Sequence, residues 1–247
     1  MFNIFLPNYS GGRVRRQAVP DNSFETIFFD AGNTLVQFDF CLFENTLKSL
    51  GIHYDRVRFE AAHWEAQKAL GAWAKTIDSH EARCRKANRV WFEKGGVPEN
   101  RVEEALNLLS DHPERHRFWS ALPKETIPAL KELKKRGYRL AVVSNAEGTI
   151  EEIMINLGLR PFFETVVDSH LVGFDKPDPK IFEIALERVK GTAAKTIHVG
   201  DLYEVDVVGA RRAGITPVLF DPNGMYPEVD DCRKISSLLD LVRGALF

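Results

Sequence analysis

The sequence predicts an α/β fold: a doubly wound parallel sheet with an all-helical segment inserted after the first strand. Three observations carry that expectation. Short β-branched and aromatic runs, TIFF at 26–29, YRLAVV at 138–143 and TIHV at 196–199, alternate with helical patterns, as parallel strands joined by crossover helices require. Between 37 and 122 the strand-like runs vanish and helical spacing replaces them. Several of the candidate strands also end in residues that can do chemistry, where open α/β sheets bind their ligands.

Taken in order, residues 1–23 open with an apolar patch broken by Asn3 and Pro7, and the basic residues Arg13, Arg15 and Arg16 follow it. That order is the reverse of a secretory signal, so the segment reads as an N-terminal extension. Thr26–Phe29 is the first strand, and it stops at a carboxylate, Asp30. Ala31, Gly32, Asn33 and Thr34 are small or polar, which lets the backbone turn sharply and leave amides bare beside that carboxylate. Asn33 and Thr34 are therefore substrate-binding candidates.

From 37 to 122, Ala62, Ala66, Ala69, Leu70 and Trp73 form an apolar stripe at helical spacing. Further helices are expected near 41–50, 80–94 and 100–110, separated by Gly51 and by the Gly95, Gly96, Pro98 turn. Trp64, Trp73, Trp91 and Trp119 read as core residues of this module rather than as a ligand wall. After Pro123, helices are expected at 127–135, 149–157, from Pro179, at 205–213 and at 236–245. Strands are expected at 138–143, 164–167, 196–199 and 217–220. Asp178 and Pro179 form an N-cap and first-turn pair. The expected organisation is a core of 24–36 and 123–247 with a helical domain at 37–122.

Composition narrows the function classes. At 247 residues and 28.0 kDa the chain buries a sizeable core, and a formal net charge of -2 with interspersed signs gives no basic field for nucleic acid. No apolar run approaches the length of a bilayer span. Cys41, Cys84 and Cys232 are three in number with no close pair, which argues against a disulfide framework or a zinc cluster and for a reduced, cytoplasmic setting. Small molecules are the expected partners of a monomer or homodimer.

The strand ends carry the chemistry. Beyond the first stands Asp30, beyond the second Ser144 and Asn145, and beyond the fourth Gly200 and Asp201, with Asp206 five residues on. Lys176 lies in GFDKPDPKIF, where two prolines fix the backbone before a helix. Asp30, Asp201 and Asp206 cannot crowd together as bare anions beside a phosphate. A hard, oxygen-liganded Mg²⁺ relieves the repulsion, and Lys176 neutralises much of the rest.

The ordered set FFDAGNTL, VVSNAEG, GFDKPDPKIF and VGDLYEVDVVGARRAG resembles the haloacid dehalogenase superfamily over roughly residues 24–225. The resemblance implies a Rossmann-like core and a Mg²⁺-dependent small-molecule phosphatase. In it Asp30 is the nucleophile that takes a covalent phosphoryl group, Ser144 is a phosphate donor beside Asn145, and Lys176 clamps nucleophile and phosphate. It further implies Asp30, Asp201, Asp206 and the Gly32 carbonyl as the metal set, and 37–122 as a helical cap that selects substrate. One departure stands out. Most phosphatases of that superfamily carry a second Asp two residues after the nucleophile as general acid and base, and here that position is Gly32.

Three functions follow from this pattern. The first is the phosphatase. The second is a carbon–halogen or carbon–phosphorus hydrolase of the same superfamily, opposed by retention of Gly200, Asp201 and Asp206. The third is a binding or regulatory protein, favoured by the missing acid at Gly32 and opposed by Asp30, Lys176 and Asp201. If another group supplies the proton, Glu204, His53 and His63 are the candidates. His112 and His116 read as a solvated turn, His198 as a buried strand residue, and Cys41 as packing within the helical module.

Overall fold

The computed structural model describes residues 24–74, 76–77, 79–111 and 115–243. The extension at 1–23, His112 and the last residues of the expected final helix lie outside them. Six strands make one parallel sheet: β1 (Thr26–Phe29), β2 (Arg139–Ser144), β3 (Thr165–Asp168), β4 (Thr196–Gly200), β5 (Thr216–Phe220) and β6 (Arg233–Ile235), in the order β3-β2-β1-β4-β5-β6. The chain winds outward from β1 in one direction and from β4 in the other. The switch point, where such sheets open a crevice, falls between β1 and β4.

Strand periodicity explains why the apolar runs are continuous. Ile27 and Phe29 of β1, with Leu140, Val142, Ile197 and Val199 beside them, face one layer of helices, α5 (Thr126–Lys135) and α6 (Ile150–Asn156). Phe28, Ala141 and Val143 face the other, α8 (Pro179–Val189) and α9 (Val208–Arg212). Both faces are buried, so alternate positions are mostly apolar, and among the polar exceptions Thr196 and His198 find hydrogen-bond partners. Each large side chain buried here contributes roughly 1.5–3 kcal/mol.

Between β1 and α5 lie four helices: α1 (Phe40–Ser49), α2 (Arg56–Trp73), α3 (His80–Gly95) and α4 (Val102–Asp111). Asp39, Asp55 and Ser79 start the first three by accepting from the amides of Leu42, Arg58 and Ala82, and Gly96 ends α3 at φ 88°. Such caps satisfy amides that the helix itself leaves bare. Phe38, Phe43, Phe59, Trp91, Phe92 and Phe118 form the aromatic centre of this region, and the Trp91 indole donates to Phe59 O at 2.9 Å. Leu202 and Val205, from beyond β4, join the same cluster. Among the described residues no helix is long and apolar enough to cross a membrane.

Four details differ from the sequence expectation. The pattern gives no hint of β6, because RKI is short and two of its residues are charged. A short helix, α7 (Ser169–Val172), follows β3 where none was expected, capped by Asp168. The helix expected at 205–213 opens as a π-helical turn, Tyr203–Val207, before α9. The last helix, α10 (Asp240–Arg243), starts late because the amides of Ser236 and Ser237 both donate to the Asp240 carboxylate, a local turn that competes with helix.

Candidate active site

Asp30 is held just past the end of β1 by its amide, which donates to Val199 O at 2.8 Å. Its carboxylate is buried at 8% exposure and accepts from Ser144 Oγ at 3.2 Å and from Lys176 Nζ at 2.6 Å. Lys176, at 1% exposure, also donates to Asp206 Oδ1 at 2.7 Å. Asn145 fixes the lysine from behind: its Oδ1 accepts from Lys176 N at 2.7 Å and its Nδ2 donates to Lys176 O at 2.9 Å.

Asp206 is the most heavily engaged carboxylate. Besides Lys176 it is paired with His198 Nε2 at 2.9 Å, and it accepts from Leu202 N at 3.0 Å. This arrangement depends on Gly200, where an added Cβ would stand 2.2 Å from the Asp206 carboxyl carbon. His198 is buried in β4, as expected, and it is a direct partner of the site through Asp206.

The charges do not cancel. One oxygen from each of Asp30, Asp201 and Asp206 lies within 4.8 Å of the others, against a single buried ammonium. Burial pushes Asp30 and Asp201 above the ordinary carboxylate range, with Lys176 opposing the rise. Burial pushes Asp206 upward too, but Lys176 and the His198 hydrogen bond outweigh it and hold Asp206 well below that range. Burial works against the Lys176 charge, and the two carboxylates more than restore it. Surplus oxygen donors with surplus negative charge fit a hard divalent cation.

The turn after Asp30 shows how this sequence accommodates its unusual residues. Asn33 adopts φ 56°, a left-handed conformation that asparagine tolerates better than most residues. Its Oδ1 lies 3.4 Å from His63 Nε2. Thr34 is buried with an unpartnered hydroxyl, one step behind the cavity wall that Gly32 and Asn33 form. A side chain at Gly32 would meet the Trp119 ring at 3.2 Å. Trp119 reaches this point because the chain segments entering and leaving the helical region pair antiparallel, Gln37 N donating to Ala121 O at 2.8 Å and Ala121 N to Gln37 O at 3.1 Å.

A cavity of about 310 Å³ opens over Asp30, Ser144, Lys176 and Asp201 and runs under α2, α3 and α4. Trp91 and Trp119 line it, so these two are wall as well as core. His63 lines it too, while His53 is exposed elsewhere and Glu204 lines a separate cleft with Lys68 and Tyr226. Burial lowers His63 to about 3, leaving a neutral imidazole whose Nδ1 has no partner. His80 and Cys84, one turn apart on α3, also face the cavity, and burial pushes the Cys84 thiol up to about 12. Cys41 is exposed on α1 with its sulfur beside the Arg56 guanidinium, not packed within the module. His116 sits in a single 3-10 turn, 3.5 Å from Glu152.

Two contributors carry little sequence signal. Trp119 is remote from Asp30 along the chain, and only the paired linkers bring it there. Asp168, at the end of β3, accepts from the amides of His170, Gly148 and Ile150 and so shapes the loop after Ser144. A carboxylate closing a buried strand was its one available sign.

A family model described as haloacid dehalogenase-like hydrolase matches residues 24–214. The chain belongs to that family. It is 30% identical over 214 residues to ribulose-1,5-bisphosphate 5-phosphatase of Halopiger xanaduensis, covering 80% of this chain and 84% of that protein. It is 36% identical over 132 residues to glyceraldehyde 3-phosphate phosphatase of Methanothermobacter thermautotrophicus, covering 53% of this chain and 58% of that one. The chain spans about half the length of several curated relatives it matches. Among solved structures, the haloacid dehalogenase-type hydrolase YfnB of Bacillus subtilis, determined bound to magnesium, superposes with a TM-score of 0.67 at 21% identity, covering 89% of this chain and 97% of that one. That likeness is one of fold.

Proposed function

We propose that this haloacid dehalogenase family member hydrolyses phosphate monoesters of small molecules through an aspartyl-phosphate on Asp30, with residues 37–122 serving as a cap over the site. The observation that carries the reading is a buried carboxylate at the switch point of the sheet, gripped by Ser144 and Lys176 and flanked by Asp201. The phosphatase relatives point the same way.

Each residue then has a chemical task. Lys176 favours the ionised form of Asp30 and aims its carboxylate, and its positive charge faces the incoming phosphoryl oxygens. Ser144 donates a hydrogen bond on the same side. Asn145 and Asp206 fix Lys176 from its backbone and its ammonium end. Asp30, Asp201, the Gly32 carbonyl and Asp206 form the set that would hold Mg²⁺. When bound, the ion supplies charge neutralisation between attacking carboxylate and phosphate. Asp30 attacks phosphorus, and water then releases inorganic phosphate from the acyl phosphate. Position 32 offers no acid for the leaving group.

A panel of phosphate esters and acyl phosphates assayed with and without Mg²⁺ tests the reading. Mg²⁺-dependent release of inorganic phosphate is expected. Full activity in EDTA would point instead to the metal-free hydrolases of the family, and no activity on any compound would point to a binding protein.

A further inference from the structure

We propose that Trp119 makes this chain selective for phosphate esters of aromatic alcohols. The inference rests on the phosphatase reading above and deepens it. Its starting point is the space over Gly32. A Cβ there would lie 3.2 Å and 3.4 Å from two atoms of the Trp119 ring, so the missing carboxylate has not left an open gap. An indole fills it. The backbone on both sides of that indole is pinned by the Gln37–Ala121 pair, and Phe38 meets the ring edge to face with centroids 5.6 Å apart. A small shift would not readily make room for a side chain at 32.

The imidazoles and carboxyls on the wall beyond the rim are engaged elsewhere, exposed or held neutral; His116, for one, lies 3.5 Å from the Glu152 carboxylate. His63 is neutral in its buried setting, and a neutral imidazole donating its only N–H proton outright would become an imidazolate. His80 is likewise held toward its neutral form by burial, one turn from Cys84. Glu147 is exposed and ion-paired with Arg115 at 2.7 Å, and Glu81 is exposed at the start of α3. The leaving oxygen therefore departs without help, which suits a weakly basic phenolate and handicaps an alkoxide.

The wall beyond the phosphate end fits the same leaving group. Leu70, Trp91, Leu106 and Leu109 line it together with Trp119. Its outer arginines pair with carboxylates, Arg85 with Glu103 and Arg115 with Glu147, which leaves the apolar side chains as the main inner surface. A flat ring can lie against the indole, an arrangement aromatic pairs favour.

The chemistry balances without a protein acid. An Asp30 oxygen forms a bond to phosphorus, the bond from phosphorus to the phenolic oxygen breaks, and its electron pair leaves on the phenolate, which takes a proton from solvent. Water then attacks phosphorus, the Asp30 carboxylate departs, and the water protons remain on inorganic phosphate as dihydrogen phosphate.

Steady-state kinetics with phenyl phosphate, acetyl phosphate and glyceraldehyde 3-phosphate separate ring packing from leaving-group basicity. Wild type should favour phenyl phosphate over glyceraldehyde 3-phosphate by roughly 10²-fold or more in kcat/KM. Trp119→Leu, which keeps apolar bulk without a ring, should raise KM for phenyl phosphate several-fold, up to about tenfold, and raise it clearly more than KM for acetyl phosphate. Trp119→Phe should keep the wild-type KM within about twofold, since the ring remains. Gly32→Asp alone should lose activity on all three substrates. Combined with Trp119→Ala it should raise kcat for glyceraldehyde 3-phosphate relative to Trp119→Ala. Calorimetry on Asp30→Asn supplies a readout free of turnover: phenylphosphonate should bind several-fold more tightly than methylphosphonate. Equal kcat/KM for phenyl and glyceraldehyde esters, or equal phosphonate affinities, would overturn the inference and leave the phosphatase reading intact. Turnover of none of the three would overturn the phosphatase reading itself.

Discussion

The rim of the sheet and the helical wall above it are built on opposite plans. At the rim, Asp30, Lys176 and Asp206 are polar, buried and densely paired, Asp30 set by the backbone of β4, Lys176 by Asn145 and Asp206 by the turn after β4. On the wall, Trp91 and His63 are placed by aromatic packing between helices and Trp119 by the paired linkers, and His63 keeps a nitrogen without a partner. A densely paired polar network has few good arrangements and resists change, whereas an apolar wall tolerates substitutions that keep its volume. On the proposed reading, reactivity belongs to the rim and selectivity to the wall.

The sharpest way to break that division is Asp30→Asn. An amide is nearly the same shape but a poor nucleophile, so turnover should fall by roughly 10³-fold or more while the chain still folds. Activity near wild type would remove Asp30 from the chemistry.

Lys176→Met tests how tightly the rim is balanced. Its loss leaves buried carboxylates without their cation, and breaking such a pair costs about 3–5 kcal/mol, read from urea unfolding. Lys195→Met, which removes an exposed ion pair with Glu25, should leave the same curve unmoved. Gly200→Ala is expected to cost about 1–3 kcal/mol and to weaken activity, because its methyl group displaces Asp206.

His63→Leu probes the wall through pH. The buried ring sits at about 3, below its ordinary value, so the unfolded chain binds the proton more readily and wild type loses stability as pH falls below about 6.5. The variant lacks that loss. Between pH 7 and 5 its stability relative to wild type should rise by roughly 2 kcal/mol in paired urea titrations. His198 is shifted in the same direction but is present in both proteins, so it drops out of the difference. Parallel pH profiles would mean that His63 is hydrated in solution.

The two regions also differ in how far they could be read from the chain alone. The strand ends announce themselves, since a buried apolar run that stops at Asp30, Ser144 or Gly200–Asp201 is a local pattern. The lysine was legible for a similar reason: Asp178 and Pro179 mark where α8 begins, and Lys176 precedes them. The occupant of the space at Gly32 was not legible, because Trp119 reaches it only through the pairing of two distant linkers. Asn145 was legible as a polar residue at the rim but not as the clamp on the Lys176 backbone, a relation fixed by tertiary contact. Short elements such as β6 escaped because three residues carry too little pattern.

The pairing of Gln37 with Ala121 has a consequence for how such a chain can diversify. The helical segment leaves and rejoins the sheet at a single doorway, its two ends one hydrogen-bonded ladder rung apart. Seen from the sheet, roughly eighty residues amount to one closed loop, and the entropic cost of closing a loop grows only with the logarithm of its length. The doorway is indifferent to what hangs from it. Whole helices can be gained, lost or exchanged there while β1 stays paired to β2 and β4, so new specificities can be grafted onto an unchanged engine.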